Sequence, residues 1–201
     1  GRMIKNSAGE LLKIVEEKDA SSAEKQVTEI NSGIYCFDAQ ALIGALKELK
    51  TDNIQGEYYL TDAIEILRKM GKTAGTYVTP DREDIRAINS RVQLAEAEAV
   101  MRKRINHKLM EAGVTIIDPA VTYVGARVQV GQDTVLYPGV ILEGATEIGK
   151  DCVIGANSRL VDAKIGNKVT IQSSTILESS IDDYTTVGPY AFIRPGSQIG
   201  K

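Results

Sequence analysis

The chain has 201 residues, of which 43% are hydrophobic and 25% charged, and its formal net charge at pH 7 is −3. This composition is typical of a globular protein with a hydrophobic core. The small net charge gives no broad electrostatic reason to bind nucleic acid or an anionic membrane. No apolar run reaches the length of about 18 residues that a membrane span needs. The two cysteines, Cys36 and Cys152, lack the spacing of a disulfide framework or a zinc site, so we expect a protein of the reducing cytoplasm without nucleic-acid or membrane partners.

The first 112 or so residues have the pattern of a mixed α/β region. Short runs rich in β-forming residues predict strands over residues 10–16, 32–38 and 76–78. Apolar residues at helical spacing predict helices over residues 39–49 and 61–70, and Gly71 is expected to end the second one.

A stronger helix signal begins at Ser90. The spacing of Ser90 and Gln93 has the form of a capping box, in which the serine side chain accepts from a backbone N–H and the glutamine reaches back. Apolar residues at helical spacing follow at Leu94, Ala97, Met101, Ile105 and Leu109. We therefore predict a helix of about six turns that ends before Gly113.

From about Val114 an aliphatic residue recurs every sixth position, and the register slips and then resumes. Glycine often follows it directly, and a small or β-branched residue often lies four positions after it. The recurring aliphatic residues are Val130, Leu136, Leu142, Ile148, Ile154, Leu160, Ile165, Ile171, Ile181, Val187, Ile193 and Ile199.

A hexapeptide period predicts a β-solenoid. Three units close one triangular coil of about 18 residues, the aliphatic side chain points inward, and glycine allows the backbone to bend at the corner. A β-sandwich would instead alternate with period two and turn every 8–12 residues. About 85 residues would make four to five coils. The pattern still runs at Ile199, and we see no capping helix after it, so we expect a fragment of a longer protein, cut at both ends.

Several runs of this sequence are similar to one known family. They are residues 14–19 (Ile-Val-Glu-Glu-Lys-Asp), 29–34 (Glu-Ile-Asn-Ser-Gly-Ile), 55–62 (Gln-Gly-Glu-Tyr-Tyr-Leu-Thr-Asp), 88–91 (Ile-Asn-Ser-Arg) and 188–196 (Gly-Pro-Tyr-Ala-Phe-Ile-Arg-Pro-Gly). In this order, ahead of and within hexapeptide repeats, they resemble the bifunctional bacterial enzymes of UDP-N-acetylglucosamine synthesis. The resemblance covers essentially the whole chain.

The resemblance implies a fold class and a domain division. Residues 1–89 would be the C-terminal portion of a Rossmann-like uridylyltransferase domain, residues 90–113 a linker helix, and residues 114–201 the first coils of a left-handed parallel β-helix acetyltransferase domain. The family's glycine-rich nucleotide loop and its acetyl-transfer base have no counterpart in this sequence. We therefore expect no catalytic residue in the fragment and neither activity from it alone.

The family's substrates follow from the same resemblance. Such enzymes acetylate glucosamine-1-phosphate with acetyl-CoA and then transfer UMP from UTP to N-acetylglucosamine-1-phosphate, with Mg²⁺. The product serves peptidoglycan and lipopolysaccharide precursors. These enzymes act as homotrimers built through the β-helix, so the resemblance implies the same assembly here.

Five residues of the first region are implied to bind the sugar. Glu16 would accept sugar hydroxyls, Asn31 would contact the sugar or its acetamido group, and the backbone N–H of Gly1 would lie near the sugar. Tyr59 and Thr61 would line the N-acetyl pocket. Each has a structural alternative: a solvated charge at a strand end for Glu16, a turn residue for Asn31, a loop glycine for Gly1, and a turn with Thr61 as helix N-cap.

Three further residues are candidates: Asn89 at the end of the first region, His107 on the predicted linker helix and Arg194 in the repeats. Asn89 is implied to bind substrate and to ligate Mg²⁺, but one neutral amide cannot hold that ion, and Asn89 equally fits the start of the Ser90 helix. Arg194 is implied to bind the phosphate of glucosamine-1-phosphate, or else is a corner arginine on the outer face. His107 lies in a basic run of the predicted helix, which we interpret as a solvated face and not as a catalytic base.

Two other functions are compatible with the patterns. The chain could serve as a trimerising β-helix scaffold, or it could belong to a nucleotidyltransferase for another sugar, such as an ADP-glucose or dTDP-glucose enzyme. The run at residues 55–62 argues against the second of these.

Overall fold

The computed structural model describes residues 1–200, and these divide into two compact units, residues 1–87 and the part of the chain from residue 88 onward. None of the helices in the described residues combines the length and the apolar character that a membrane span requires. Cys36 is exposed and Cys152 is buried, and both are free thiols.

The first unit is built on a two-stranded antiparallel sheet of β1 (Arg2–Lys5) and β2 (Leu11–Val15). Helix α2 (Asp62–Lys69) packs on β2, and helix α1 (Ala39–Leu46) packs on α2. Two short 3-10 turns complete the regular structure, at Glu24–Gln26 and Arg82–Ile85. The sheet and both helices therefore stack in layers around two small apolar clusters.

Local capping explains where the helices of this unit begin and end. The Asp38 side chain accepts from the Ala41 N–H at 2.8 Å and starts α1, which ends three residues earlier than predicted. Helix α2 ends before Gly71, whose φ of +80° suits glycine and confirms the predicted stop. Ile64 of α2 packs on Leu11 and Ile14 of β2, so the apolar face of α2 holds the sheet.

Two predicted strands of the first unit are wrong. Residues 32–38 and 76–78 are irregular, and Ile34 and Tyr77 are exposed. A run of β-forming residues becomes a strand only where a neighbouring strand supplies the ladder of hydrogen bonds. Neither segment pairs with β1 or β2, so both remain irregular.

Helix α3 (Arg91–Glu111) opens the second unit, close to the bounds predicted from its pattern. The Ser90 side chain accepts from the Gln93 N–H at 3.2 Å, as the capping box predicts. The Gln93 side chain, however, accepts from the Asn89 N–H at 2.6 Å and not from that of Ser90. The capping box is thus present with its return bond moved by one residue.

The rest of the second unit is a parallel β-solenoid of about five turns, which confirms the fold predicted from the repeats. Its short strands stack into three parallel five-stranded sheets, one on each side of the coil. In stacking order the first sheet is β3 (Thr115–Ile116), β6 (Val135–Leu136), β9 (Val153–Ile154), β12 (Thr170–Ile171) and β15 (Thr186–Val187); the second is β4 (Tyr123–Val124), β7 (Ile141–Glu143), β10 (Arg159–Val161), β13 (Thr175–Leu177) and β16 (Phe192–Ile193); the third is β5 (Gln129–Val130), β8 (Glu147–Ile148), β11 (Lys164–Ile165), β14 (Ser180–Ile181) and β17 (Gln198–Ile199).

The predicted aliphatic residues fill the interior of this solenoid. Those in the middle coils, such as Leu136, Ile154 and Leu160, are fully buried, and Ile193 and Ile199 are partly buried. The small residues four positions later, such as Thr134 and Cys152, are buried as well. The interior therefore has two side chains for each side of the coil, one large and one small.

The slip in the repeat has a structural cause. Leu136 stacks on Ile154, 18 residues later, but Leu160 stacks on Ile176, only 16 residues later. The coil shortens because some of its sides have five residues instead of six. Ile176, which the period of six passes over, is one of the buried residues of these shorter sides.

Glycine has a different role in this solenoid from the one predicted. The left-handed corner residue is usually not glycine: Asp133, Asp151 and Asn157 have φ between 57° and 61°. The glycine that directly follows the aliphatic residue lies under the next coil. A Cβ on Gly149 would lie 2.5 Å from the carbonyl oxygen of Gly166, so the close approach of stacked backbones and not the bend requires glycine there.

Helix α3 covers the first coil. Ile105 and Leu109 pack against the interior of the solenoid, and the Arg102 guanidinium lies 4.6 Å from the ring centre of Tyr123. Asn106 is fully buried, and its amide nitrogen donates to the carbonyls of residues 119 and 122 at 3.0 and 2.9 Å. The helix is thus a cap on the stack and not only a connection.

We expect Gly149→Ala to lower the free energy of unfolding of the solenoid by about 2–3 kcal/mol, because the new methyl group would overlap the next coil. Gly200→Ala is the matched control, since it follows an aliphatic residue in the same way but its Cβ would meet nothing closer than 3.9 Å. Hydrogen exchange of the β8 and β11 amides measures the difference, and equal exchange in the two variants would contradict the steric explanation.

We expect Asn106→Leu to destabilise the contact between α3 and the first coil by about 2 kcal/mol, because the carbonyls of residues 119 and 122 lose their donor. His107→Ala is the control on the same helix, because His107 is exposed and its ring nitrogen faces Glu111, one turn further along α3. Chemical denaturation followed by circular dichroism compares the variants; an unchanged midpoint for Asn106→Leu would show that the two hydrogen bonds are not needed.

Candidate functional site

The candidate sugar site of the first unit begins at the turn after β2. The strand ends at Val15, and the N–H of Asp19 donates to the carbonyl of Glu16 at 3.0 Å, which closes a turn over residues 16–19. Because Leu11 and Ile14 are buried, β2 holds this turn in place. The Glu16 side chain is 29% exposed and lies at the boundary between the core and solvent.

Glu16 is the meeting point of two other candidates. The Thr61 hydroxyl donates to Oε1 of Glu16 at 3.1 Å, and the backbone nitrogen of Gly1 lies 3.3 Å from Oε2. A Cβ on Gly1 would lie 2.7 Å from Cγ2 of Ile14 and 3.0 Å from Oε1 of Glu16. The structure therefore brings Gly1, Glu16 and Thr61 together, and there is no room for a side chain at Gly1.

Thr61 does not cap its helix with its side chain. It is the residue before α2 and is 6% exposed, but its hydroxyl makes no capping hydrogen bond. The donor goes to Glu16, 45 positions earlier in the sequence. Thr61 therefore occupies the N-cap position, as the structural alternative predicts, but its hydroxyl does not cap the helix.

Asn31 joins this cluster through the backbone. Its N–H donates to the Gly1 carbonyl at 2.9 Å, and its amide oxygen accepts from the Gly33 N–H at 3.1 Å, as a turn residue would. Its amide nitrogen donates to the Tyr35 hydroxyl at 2.5 Å. Both readings of Asn31, turn residue and neighbour of the sugar site, are compatible with these contacts.

Tyr35 and Asp62 are neighbours of the cluster that the sequence patterns did not reveal. Burial raises the pKa of the Tyr35 hydroxyl, the hydrogen bond from Asn31 opposes this, and the charge of Glu16 adds to the increase. Burial also raises the pKa of the Asp62 carboxyl, with smaller contributions from Glu65, Asp19 and Glu16. The sequence signal available for Tyr35 was its position four residues after Asn31, whose amide nitrogen donates to the Tyr35 hydroxyl.

Tyr59 lies at the end of a loop that is closed on itself. Asn53 makes hydrogen bonds with the backbone of Gln55 and Glu57, and the Gln55 amide nitrogen donates to the Tyr59 hydroxyl at 2.7 Å. Tyr59 is partly buried, while Tyr58 is exposed. The loop therefore presents Tyr59 next to the residues that lead to Thr61.

Asn89 and Arg194 belong to the second unit. Asn89 is exposed, and its N–H is held by Gln93 at the start of α3, as the structural alternative predicts. Nowhere in residues 1–200 do three or more histidine, cysteine, aspartate or glutamate side chains group as they would to hold a metal. A lone amide does not fit Mg²⁺, which prefers six oxygen ligands with one or two carboxylates.

Arg194 lies at a corner of the last coil, between β16 and β17. Its carbonyl accepts from the hydroxyls of Ser179 and Ser197, each at 2.7 Å, which fixes the backbone of the corner. The side chain is exposed, and among the described residues no ion pair or hydrogen bond engages its guanidinium. The group is thus available to an anion.

His107 lies on the exposed side of α3, as expected, with Nδ1 3.4 Å from Oε2 of Glu111. It is therefore a surface residue beside a carboxylate.

Comparisons with known proteins find a family match within the repeats and relatives that are similar over essentially the whole chain. Residues 127–161 match the family described as bacterial transferase hexapeptide (six repeats). The bifunctional protein GlmU of Alkaliphilus metalliredigens is 56% identical over 201 residues, which is 100% of this chain and 44% of that protein. GlmU of Caldanaerobacter subterraneus subsp. tengcongensis is 56% identical over 199 residues, or 99% of this chain and 43% of that protein.

Among solved structures, a mutant of perosamine N-acetyltransferase from Caulobacter crescentus, in complex with CoA and GDP-perosamine, is 12% identical with a TM-score of 0.30. That likeness covers 50% of this chain and 59% of the other. The chain spans about 44% of the length of the curated relatives that it matches.

The contact between Thr61 and Glu16 can be tested with a double-mutant cycle of Thr61→Val and Glu16→Ala. We expect a coupling energy of about 0.5–1.5 kcal/mol, because each residue loses the same hydrogen bond. Hydrogen exchange of the α2 amides measures the free energy of unfolding of the first unit. A coupling energy of zero would indicate that Thr61 acts on its helix alone.

Proposed function

We propose that this chain, which belongs over its whole length to the family of the bifunctional protein GlmU, forms the sugar-binding side of a uridylyl transfer site and the first coils of an acetyltransferase domain. On this proposal, residues 1–89 are part of a nucleotidyltransferase domain, residues 90–113 a linker helix and residues 114–201 part of a left-handed β-helix. The observation that carries the first half is the convergence of Gly1, Glu16 and Thr61.

The arrangement around Glu16 suits recognition of a sugar. An ionised carboxylate offers about four acceptor positions, and the Thr61 hydroxyl occupies one of them. The others are open to sugar hydroxyls. Because Thr61 already holds one oxygen, the carboxylate has less to reorganise when a ligand arrives, and a sugar with a misplaced hydroxyl leaves an acceptor unpaired.

The chemistry on this proposal is the transfer of a uridylyl group. An oxygen of N-acetylglucosamine-1-phosphate forms a bond to the α-phosphorus of UTP, and the bond from that phosphorus to the bridging oxygen breaks as pyrophosphate leaves. Such a step depends on positioning and on neutralisation of charge. The residues of this chain contribute the positioning: Glu16 and Asn31 hold the sugar, and Tyr59 and Thr61 line the pocket for its acetamido group.

The resemblance also implies a magnesium ion. In the proposed enzyme the ion would neutralise phosphate charge, but Asn89 alone does not fit it. Asn89 as a ligand of Mg²⁺ and of the substrate therefore remains a proposal that rests on the resemblance.

Arg194 supports the acetyl-transfer half of the proposal. Its guanidinium is exposed and can bind the phosphate of glucosamine-1-phosphate through two parallel hydrogen bonds. Acetyl-CoA would supply the acetyl group, and a homotrimer built through the solenoid would complete the site. The fragment itself would have neither activity.

The sugar half of the proposal is tested by titrating N-acetylglucosamine-1-phosphate into residues 1–201 and following amide NMR shifts. We expect shifts at Glu16, Asn31, Tyr59 and Thr61, and at least tenfold weaker binding for Glu16→Gln, which loses a charged acceptor.

Glu17→Gln is the matched control for that titration. It removes one negative charge from the same turn, but its carboxylate faces Arg2 at 2.9 Å and not the cluster. Equal binding by the wild type and Glu16→Gln would overturn the assignment of Glu16, and absence of shifts around the cluster in the wild type would overturn the sugar site itself.

A further inference from the structure

Asp19 is a carboxylate beside the candidate sugar site, in the same turn as Glu16. It closes the turn that carries Glu16, because its N–H donates to the Glu16 carbonyl at 3.0 Å. Its Oδ1 atom accepts from the Ile54 N–H at 2.8 Å, 35 positions later in the sequence. One side chain thus links the Glu16 turn to the loop that carries Tyr59.

A second link runs beside it. The Lys18 ammonium donates to the amide oxygen of Gln55, and the Gln55 amide nitrogen donates to the Tyr59 hydroxyl at 2.7 Å. The loop is therefore held by two adjacent residues of the turn, Asp19 at its backbone and Lys18 at its side chain. The turn of residues 16–19 fixes the position of the loop as well as that of Glu16.

The hydroxyl of Tyr59 has a proton without an assigned acceptor. Its oxygen accepts from Gln55, so its own O–H is free to donate. Oδ2 of Asp19 is buried and has no hydrogen-bond partner among the described residues. A buried carboxylate oxygen without a donor is energetically costly. The Tyr59 hydroxyl needs an acceptor and Oδ2 of Asp19 needs a donor, and the two groups lie in the same part of the structure.

The electrostatics agree with this geometry. Partial burial raises the pKa of the Tyr59 hydroxyl, the hydrogen bond from Gln55 opposes the increase, and the carboxylates of Asp19 and Glu57 add to it. Asp19 also contributes to the raised pKa of Asp62. Asp19 is thus close enough to both groups for its charge to influence them.

We propose that Asp19 is a positioning residue for the N-acetyl pocket. It holds the loop of residues 53–59 against the Glu16 turn, and it accepts a hydrogen bond from the Tyr59 hydroxyl. With that proton directed to Asp19 and the Gln55 donor on another side, the remaining lone pair of the Tyr59 oxygen faces outward. That oxygen then accepts from the N–H of the acetamido group of the sugar. The inference rests on the proposed sugar site, and it assigns Asp19 to the selection of the N-acetyl group and not to the chemical step.

The first arm of the test needs no ligand. In residues 1–201 with labelled tyrosine rings, NMR titration gives the pKa of the Tyr59 hydroxyl in the wild type, in Asp19→Asn and in Glu17→Gln. We expect the pKa to fall in Asp19→Asn, because a negative charge and an acceptor for the neutral hydroxyl are lost, and to stay unchanged in Glu17→Gln. The asparagine keeps an acceptor for the Ile54 N–H, so the turn is expected to remain folded, which the amide spectrum checks.

The second arm compares two ligands, N-acetylglucosamine-1-phosphate and glucose-1-phosphate. We expect Asp19→Asn to bind the first about tenfold more weakly and to change the second less than twofold, because only the acetamido contact depends on the orientation of Tyr59. Glu17→Gln is expected to bind both as the wild type does. An equal loss for both ligands would overturn the inference, because it would mean that Asp19 only supports the fold of the turn.

The outcomes separate this inference from the proposed function. If the wild type binds N-acetylglucosamine-1-phosphate and Asp19→Asn binds it equally well, the role of Asp19 is wrong and the sugar site stands. If the pKa of Tyr59 does not respond to Asp19→Asn, the hydroxyl does not donate to Asp19 and the inference is wrong. If the wild type binds neither ligand, the sugar site fails and the role of Asp19 fails with it.

Discussion

The solenoid depends on how closely one backbone can lie on the next. Parallel strands stack about 4.8 Å apart, and where a glycine directly follows the aliphatic residue within the stack this leaves no space for a side chain under the following coil. Gly149 lies beneath the carbonyl of Gly166, and Gly131 lies beneath Gly149 in the same way. The hexapeptide repeat therefore reflects two requirements. An aliphatic residue has to fill the interior, and glycine is needed directly after it wherever the backbone of the next coil lies too close for a side chain.

The first unit depends on a contact of a different kind. A single turn after β2 carries Glu16, Lys18 and Asp19, and these residues engage the chain again near Gln55 and Thr61. Hydrogen bonds to a carboxylate are stronger than those between neutral groups. The polar cluster consequently orders two loops around a strand end, in a unit whose regular sheet has two strands.

The two regions differ in how well the sequence predicted them. Leu136, Leu142 and Ile154 could be assigned to the interior because the repeat is local, and each unit meets its neighbour at a nearly constant spacing. Ile176 was missed because two successive sides have five residues. In the first unit, residues 32–38 were wrongly predicted as a strand, since pairing decides a strand and propensity does not. Asp19 was missed because its hydrogen bond with Ile54 joins segments 35 positions apart. Tyr35 was missed although its hydrogen bond with Asn31 spans only four positions, because that spacing falls outside any helix. Glu16, Asn31 and Tyr59 were chosen through the family resemblance, and composition alone would have left them as surface residues.

The corners of the solenoid carry a cost that is spread along the whole stack. Tyr184, Tyr190 and Lys168 adopt left-handed φ values of 56° to 63°, where a non-glycine residue gives up about 1 kcal/mol. Their side chains are exposed and lie outside the interior, where the Lys168 ammonium is 5.6 Å from the ring centre of Tyr184. Replacing these residues by glycine, one at a time, would remove the backbone strain at each corner. Such changes would raise the melting temperature while leaving the three sheets untouched.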